Sequence, residues 1–481
     1  MPGDDTFTRR RHGRLVGGAG LTGAEGGRGA WAGGDPGPGP PAAYDWRPMA
    51  GRYPNRVPDH DVRLARLREW LNTGLWFLPM VWAFASMAAA LALVAVDRRL
   101  GGDDPSWLVF GRGVDSARQV LAVISGSTIA FTGTVFSITI VALQLASTQF
   151  SPRVLRTFLR DRATQHCFGT FVATALYSLM VLREVGTPGV EVPGLAISGA
   201  FVLIVGSVFA FVFLVHHVAQ SVRAVSIIDA VASETRASIE ANHPAAAADP
   251  FVGAAAPAAP PRQVIGLDHG PGVLLGVDED NLVAVARRHD CVLQVVPTVG
   301  DFVPTGAPVV RVHGDTDVPA GAVLDHVGIG PERTLYQDTA FGIRQLVDMA
   351  EKALSPAVND PTTAVQCLDR IHDILRRLAP RPLASGRYGD EDGRLRLVVP
   401  QASWDDYVHL GFDEIRHFGI GSIQVPRRMR AALDDLLTVV PPARRAVVES
   451  QLGALDRAVD RTYAEPDERA RAMVSDLQGI R

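Results

Sequence analysis

The second of four long apolar stretches carries hydroxyl and amide side chains but no charge. No Asp, Glu, Lys or Arg occurs between Arg118 and Arg153. At 100° per residue, four hydroxyl-bearing residues fall within about 60° of one another on a helix: Ser125, Thr128, Thr132 and Thr139. Hydroxyls can replace part of an ion's hydration shell, which makes this Ser/Thr stripe a candidate pore lining. Hydroxyls in membrane helices also bond to the carbonyl one turn earlier and serve packing alone, so both interpretations stay open.

A second stripe lies about 120° away on the same predicted helix. Its members are small or uncharged polar residues, namely Gly126, Gly133, Ser137 and Gln144. Gly133 and Ser137 form a small-x-x-x-small pair, which lets two helices approach closely in lipid. We expect this second stripe to serve helix packing.

A third polar group lies in the second half of the chain, on a predicted amphipathic helix and the turn after it. Arg344, Asp348 and Lys352 follow one another at i,i+4 spacing, and Asn359 and Asp360 precede a proline that opens the next helix. These five residues can form a polar ligand site. They can equally be helix-surface pairs worth about 0.2–0.5 kcal/mol each, together with one helix cap.

Other chemistry has little support in the sequence. There is no phosphate-binding loop, dinucleotide fingerprint, nucleophile elbow or zinc-binding HExxH, so we expect no catalytic residues and no enzyme activity. Cys167, Cys291 and Cys367 lie far apart, and we predict neither a metal nor a cofactor. The net charge of −4 gives no reason to expect nucleic acid as a partner. The spans lack the central ionisable group that proton-coupled pumps usually need.

Four apolar stretches of membrane-spanning length define the first half of the chain, at 75–96, 119–145, 167–182 and 195–215. Arginines dominate before the first span and in the loop after the second, whereas acidic residues balance them in the other two loops. Because cytoplasmic loops collect arginine, both termini are predicted to lie in the cytoplasm, with the spans in the bacterial inner membrane. Arg153, Arg156 and Arg160 are predicted to lie on a short helix against anionic headgroups.

The sequence outside the spans divides into four parts. Residues 1–57 form a Gly/Pro-rich tail that we expect to be disordered. A helical extension continues the fourth span to about residue 240 and completes a membrane domain at 58–241, before an Ala/Pro linker at 242–262. Short strands at 263–315 resemble a barrel-sandwich β module, and 330–481 is mostly helical. The predicted fold is therefore a four-helix membrane domain followed by a cytosolic α+β region.

Several segments of this sequence resemble the motifs of a bacterial protein family. They are Phe136–Thr139, Gln149–Arg153, Gly300–Val303, Gln337–Asp348 and Ala353–Pro361. The chain is similar over about 60–465 to a family known as predicted membrane protein, domain of unknown function twenty-two fifty-four. The resemblance implies four spans and a cytosolic C-terminal region. It implies no activity and no functional residues.

Two functions fit these features. The first is a homo-oligomeric channel or transport-type pore whose second spans line the path, with a cytosolic regulatory region. The alternative is a non-transporting membrane sensor or scaffold, whose cytosolic half binds a ligand or a partner.

Overall fold

A computed structural model describes residues 76–100, 113–149, 161–187, 192–244, 257, 259–268 and 270–479. The predicted N-terminal tail, most of the Ala/Pro linker and the three membrane-surface arginines lie outside these residues; the arginines are Arg153, Arg156 and Arg160.

Four helices are long and apolar enough to cross a membrane. They are α1 (Phe77–Leu100), α2 (Val114–Gln149), α3 (Arg162–Glu184) and α4 (Gly194–Ser221). The four predicted apolar helices are thereby confirmed. The third is longer than its 16-residue apolar stretch because the polar turn at 162–166 continues the same helix.

The third helix forms the centre of this bundle. It packs against α1, α2 and α4, and 56% of its apolar window is buried, against 11% for α2. Phe171 and Tyr177 of α3 are fully buried. The Tyr177 hydroxyl donates a 2.9 Å hydrogen bond to the carbonyl oxygen of Ala196 in the first turn of α4.

Polar side chains fix the ends of the spans. Asp97, near the end of α1, accepts hydrogen bonds from the backbone N–H groups of Leu195 (3.1 Å) and Ala196 (3.0 Å). These donors have no partner inside α4, so a carboxylate is the favoured group there. At the opposite end of the bundle, Asp161 caps α3 and lies 2.8 Å from His217 of α4.

The predicted extension of the fourth span is a separate helix. After α4 ends at Ser221, Arg223 adopts an extended backbone, and α5 runs over Ala224–Asn242. Neither a glycine nor a proline marks this break, so the apolar periodicity predicted a continuous helix. Residues of α5, including Ile228 and Ile239, are buried in the core of the soluble region.

The soluble region contains two small sheets. Their strands are β1 (Gln263–Gly266), β2 (Gly272–Val277), β3 (Val292–Val295), β4 (Phe302–Val303), β5 (Pro308–His313), β6 (Val327–Gly330), β7 (Arg387–Gly389) and β8 (Leu395–Val398). One sheet has the order β1-β5-β3-β8-β7, in which β3 and β8 are parallel and the other pairs antiparallel; the other has the order β4-β2-β6. The larger sheet thus recruits two strands from well beyond the predicted β module. An α+β region is confirmed, and the barrel-sandwich resemblance is not.

Helices make up the rest of the soluble region. They are α6 (Glu279–Arg288), α7 (Ala320–Leu324), α8 (Thr339–Leu354), α9 (Pro361–Leu378), α10 (Trp404–Gly419), α11 (Gln424–Val439), α12 (Arg445–Thr462) and α13 (Pro466–Ala472). A single apolar core joins α5 to α8, α9, α10, α11 and α12, with Ile343, Leu368 and Phe412 fully buried.

Candidate functional site

The Ser/Thr stripe of α2 faces its own helix bundle. Ser125 and Thr128 are buried, and Thr132 and Thr139 are half-buried. Three of the hydroxyls donate to the carbonyl oxygen one turn earlier: Thr128 to Ile124 at 2.7 Å, Thr132 to Thr128 at 2.8 Å and Thr139 to Val135 at 2.8 Å. This is the back-bonding geometry of packed membrane helices. These three donors are therefore engaged within α2.

The second stripe of α2 faces away from the bundle. Gly126, Gly133, Ser137 and Gln144 are all exposed and fall within about 40° of one another. A Cβ atom added to either glycine lies more than 4 Å from every neighbouring atom of the described segments. The Ser137 hydroxyl donates to the carbonyl of Gly133 at 3.1 Å. The groove expected for helix packing is thus not used by the described helices of the same chain.

The second helix also extends beyond the neighbouring end of α3. Phe136 of α2 packs edge-on against Phe168 of α3, with ring centroids 6.3 Å apart. Thirteen residues of α2 follow this point, whereas α3 begins six residues before it. At 1.5 Å per residue, α2 passes the start of α3 by about 10 Å.

The structure brings Arg344 and Asp348 together with two carboxylates that sequence reasoning missed. The Arg344 guanidinium donates to Asp348 at 2.6 Å and to Glu414 of α10, and its third nitrogen lies 3.7 Å from Glu351. Burial and the neighbouring Glu414 raise the pKa of Glu351 to about 7. Glu351 shares a helix face with Arg344, two turns away, and that spacing was visible in the sequence. The approach of Glu414 on α10 was not visible in the sequence.

The other three members of the predicted polar cluster do not join this group. Lys352 is exposed on α8. Asn359 is also exposed; its φ of 49° lies in the left-handed region that asparagine tolerates, and its N–H donates to the carbonyl of Ser355 at 2.8 Å. Asp360 caps α9, accepting from the Thr363 N–H at 3.1 Å. Asn359 and Asp360 thus shape the turn between α8 and α9.

A polar junction, formed by residues 333–339 and their contacts, ties the sheets to the helices. The Gln337 side-chain amide pairs with the backbone of Val277 in β2, accepting at 2.9 Å and donating at 3.0 Å. The Ser238 hydroxyl of α5 donates to the carbonyl of Leu335 at 3.0 Å. The segment before α8 is therefore bound both to a sheet and to the helix that follows the fourth span.

A glycine turn completes the polar junction. Gly300 has a φ of 97°, and a Cβ there would lie 2.5 Å from the Asp338 carboxylate and 2.7 Å from the Arg333 guanidinium. Asp338 itself caps α8 and pairs with Arg333 at 2.8 Å. Glycine is therefore required at 300 both by the backbone conformation and by the close approach of this ion pair.

The described residues also include candidate metal ligands and thiols. No group of three or more His, Cys, Asp or Glu side chains among these residues has an arrangement that fits a metal ion. The three cysteines are buried free thiols. The expectation of no metal or cofactor remains a prediction.

Comparison with known proteins gives one family. A sequence model of the family described as "Predicted membrane protein (DUF2254)" matches residues 72–435. The chain is 33% identical over 448 residues to an uncharacterized protein of Mycobacterium bovis and to one of Mycobacterium tuberculosis; each alignment covers 90% of this chain and 84% of the relative. No solved structure matches the chain significantly.

Proposed function

We propose that this chain, which belongs to the DUF2254 family of predicted membrane proteins, is a multi-pass protein of the bacterial cytoplasmic membrane. Several copies assemble around α2 into a homo-oligomeric pore. Both termini and the soluble region lie in the cytoplasm, as the flanking charges predict. The observation that carries the proposal is the exposed stripe of Gly126, Gly133, Ser137 and Gln144 on α2, called the outward stripe below.

The composition of the outward stripe suits protein contact better than lipid contact. A glycine offers lipid no side chain to pack against. Small residues instead let a second helix backbone approach closely. Only 11% of the apolar window of α2 is buried within the chain, so most of this helix is available to further copies.

An assembly around α2 places an uncharged polar strip at its axis. The Ser137 hydroxyl and the Gln144 amide supply hydrogen-bonding groups along this strip. An uncharged lining discriminates among solutes by width and hydrogen bonding rather than by charge. What supports the outward stripe over the Ser/Thr stripe as the lining is its direction: it is exposed, whereas Thr128, Thr132 and Thr139 face the bundle of their own chain.

The length of α2 gives additional support. Its 36 residues span about 54 Å, well beyond a hydrocarbon layer of about 30 Å. The part that passes the start of α3 by about 10 Å carries no charge up to Gln149. Several such ends side by side extend the assembly as a short neck toward the soluble regions.

The assembly is tested by replacing Gly133 with leucine. Near its Cβ the added side chain meets no atom of the residues that the structure describes, so the protomer is expected to fold normally. Between copies it blocks the close approach of two helices. We expect Gly133→Leu to shift the particle in mild detergent to a lower mass, measured by light scattering. The matched control is Gly206→Leu on α4, which is also exposed and open and is expected to leave the mass unchanged.

Transport is tested separately in liposomes. We expect the wild-type protein to release small ions or solutes. Gln144→Leu keeps the size of an exposed side chain on the outward stripe and removes its amide, so we expect it to reduce the flux while the assembly persists. A wild-type oligomer that conducts no ion or small solute would refute the pore and leave the assembly intact. A monomer would refute both.

The alternative, a membrane sensor or scaffold, has its own supporting observation. The polar junction binds α5, which directly follows the fourth span, to β2 and to the start of α8. A ligand-induced change in the soluble region thus has a direct structural route to the membrane helices. This function predicts no flux, together with a rise in the unfolding temperature of the full chain with some small metabolite.

A further inference from the structure

The contact between α8 and α10 contains more negative than positive charge. One guanidinium, that of Arg344, faces three carboxylates: Asp348 and Glu351 on its own helix, and Glu414 on α10. Its short hydrogen bonds go to Asp348 and Glu414. Glu351 lies 3.7 Å from the remaining nitrogen, a distance too long for a hydrogen bond.

Glu351 is the carboxylate whose charge is least compensated. Its Oε1 atom is buried and has no hydrogen-bond partner among the described residues. The carboxyl group of Glu414 contacts the same guanidinium and acts on Glu351 as a like charge. When two carboxylates share one site, their mutual repulsion favours a proton on one of them.

The charged groups around Glu351 act in opposite directions. Burial is the largest influence that raises its pKa, followed by Glu414 and, more weakly, by the charge of Asp348. Arg344 lowers it. The net result is a pKa of about 7, so a small change of pH near neutrality changes the protonation of Glu351.

We propose that Glu351 and Glu414 hold one proton between them, and that its release to solvent weakens the contact of α8 with α10, which makes this contact a pH-sensitive joint in the soluble region. The opposite side of α8 packs against α5, where Gly342 lies against Thr235. Because α5 directly follows α4, a shift of α8 reaches the helix that leaves the membrane domain. This inference goes beyond the proposed pore and holds for a sensor as well.

The difference between the folded and unfolded pKa of Glu351 determines how stability changes with pH. In the unfolded chain a glutamate releases its proton near pH 4.3, whereas in the folded protein the proton is held to about pH 7. The stabilisation is therefore fully present below the unfolded pKa and is lost as the pH rises through about 7. Lowered pKa values at His243 and His372 act in the opposite direction, toward lower stability in acid.

The first test measures the unfolding temperature of the full chain in detergent between about pH 5.5 and pH 8.5. Glu351→Gln replaces the protonated acid by a neutral group of the same shape. We expect the wild-type unfolding temperature to fall, relative to this variant, as the pH rises through about 7. Glu449→Gln on α12, an exposed carboxylate with a partner on the same helix, serves as the control and is expected to behave as wild type. An identical pH dependence in wild type and Glu351→Gln would overturn the proposal.

The second test is carried out on the wild-type protein, so it does not depend on whether a variant folds. Infrared difference spectroscopy of the wild-type protein is expected to show a protonated carboxyl band that disappears with a midpoint near pH 7. The band is assigned by its loss in Glu351→Gln or, if that variant does not fold, in Glu414→Gln. Absence of any carboxyl group titrating between about pH 6 and pH 8 would contradict the shared proton.

Discussion

A tight contact between α8 and α5 predicts a measurable loss of stability from a single added methyl group. Gly342 of α8 lies against α5, and a Cβ atom at this position would be 2.0 Å from the Thr235 hydroxyl oxygen and 2.7 Å from its Cγ2. Ordinary contacts of this kind lie at about 3.5–4.0 Å. Gly342→Ala must therefore separate α5 from α8 by more than an ångström, or displace Thr235 from its hydrogen bond to Val231.

Two opposing contributions determine how much Gly342→Ala changes the free energy of unfolding. Alanine in a helix interior is favoured over glycine by about 1 kcal/mol. Overpacking a well-filled core typically costs about 1–3 kcal/mol, and more where backbone must move. Since the added atom would lie 2.0 Å from Thr235 and the contact joins two helices of one core, the overpacking cost is taken at its upper end, about 2–3 kcal/mol. Subtracting the gain of about 1 kcal/mol, we expect Gly342→Ala to lower the free energy of unfolding by about 1–2 kcal/mol.

The assay is denaturant unfolding of the full chain in detergent, followed by tryptophan fluorescence, to which Trp404, buried in the same core, contributes. Gly453→Ala on α12 is the control, because its nearest neighbour is the flexible end of Arg457 at 3.3 Å; this change is expected to be neutral or stabilising. Adding Thr235→Ala to Gly342→Ala removes the two closest atoms and is expected to recover part of the loss. Equal stability of Gly342→Ala and Gly453→Ala would refute the reasoning.

Two further predictions concern a helix cap and a buried histidine. Asp97→Ala removes the acceptor for two N–H groups at the start of α4, and we expect it to destabilise the membrane helices by about 1–2 kcal/mol. Asp97→Asn keeps an acceptor and is expected to lose less stability. Thermal unfolding in detergent measures both variants. Burial, Arg381 and Arg444 lower the pKa of His243 to about 4. Its contribution to stability is therefore present above about pH 6.5 and lost as the pH falls toward 4, and His243→Gln is expected to flatten the acid side of the stability profile; an unchanged acid side would contradict this.

Much of the fold was predictable because its signals are local. Apolar length alone identified the four membrane helices, and Asp360 followed by Pro361 marked the start of α9. The strands β1, β2, β3, β5 and β8 follow short apolar runs between turn residues. Pairing was not predictable, because the parallel contact of β3 with β8 joins segments about one hundred residues apart and leaves no trace in either segment.

The candidate sites show the same division between local and distant information. The i,i+4 pair of Arg344 and Asp348 was visible in the sequence and forms in the structure. Glu414 comes from α10, and nothing in the spacing of α8 residues indicates its approach. Likewise, periodicity separated the two stripes of α2, but only the packing of α3 and α4 determines that the Ser/Thr stripe faces inward and the outward stripe faces away from the bundle.

Cysteine cross-linking in native membranes tests the proposed assembly most directly. The three natural cysteines are buried, so a cysteine introduced on α2 is the accessible one among the described positions. We predict that Gly133→Cys forms a covalent dimer under mild oxidation, and that Gly206→Cys on α4 does not. If the two variants cross-link equally, or neither does, copies of this chain do not meet along the outward stripe of α2, and the proposed pore has no structural basis.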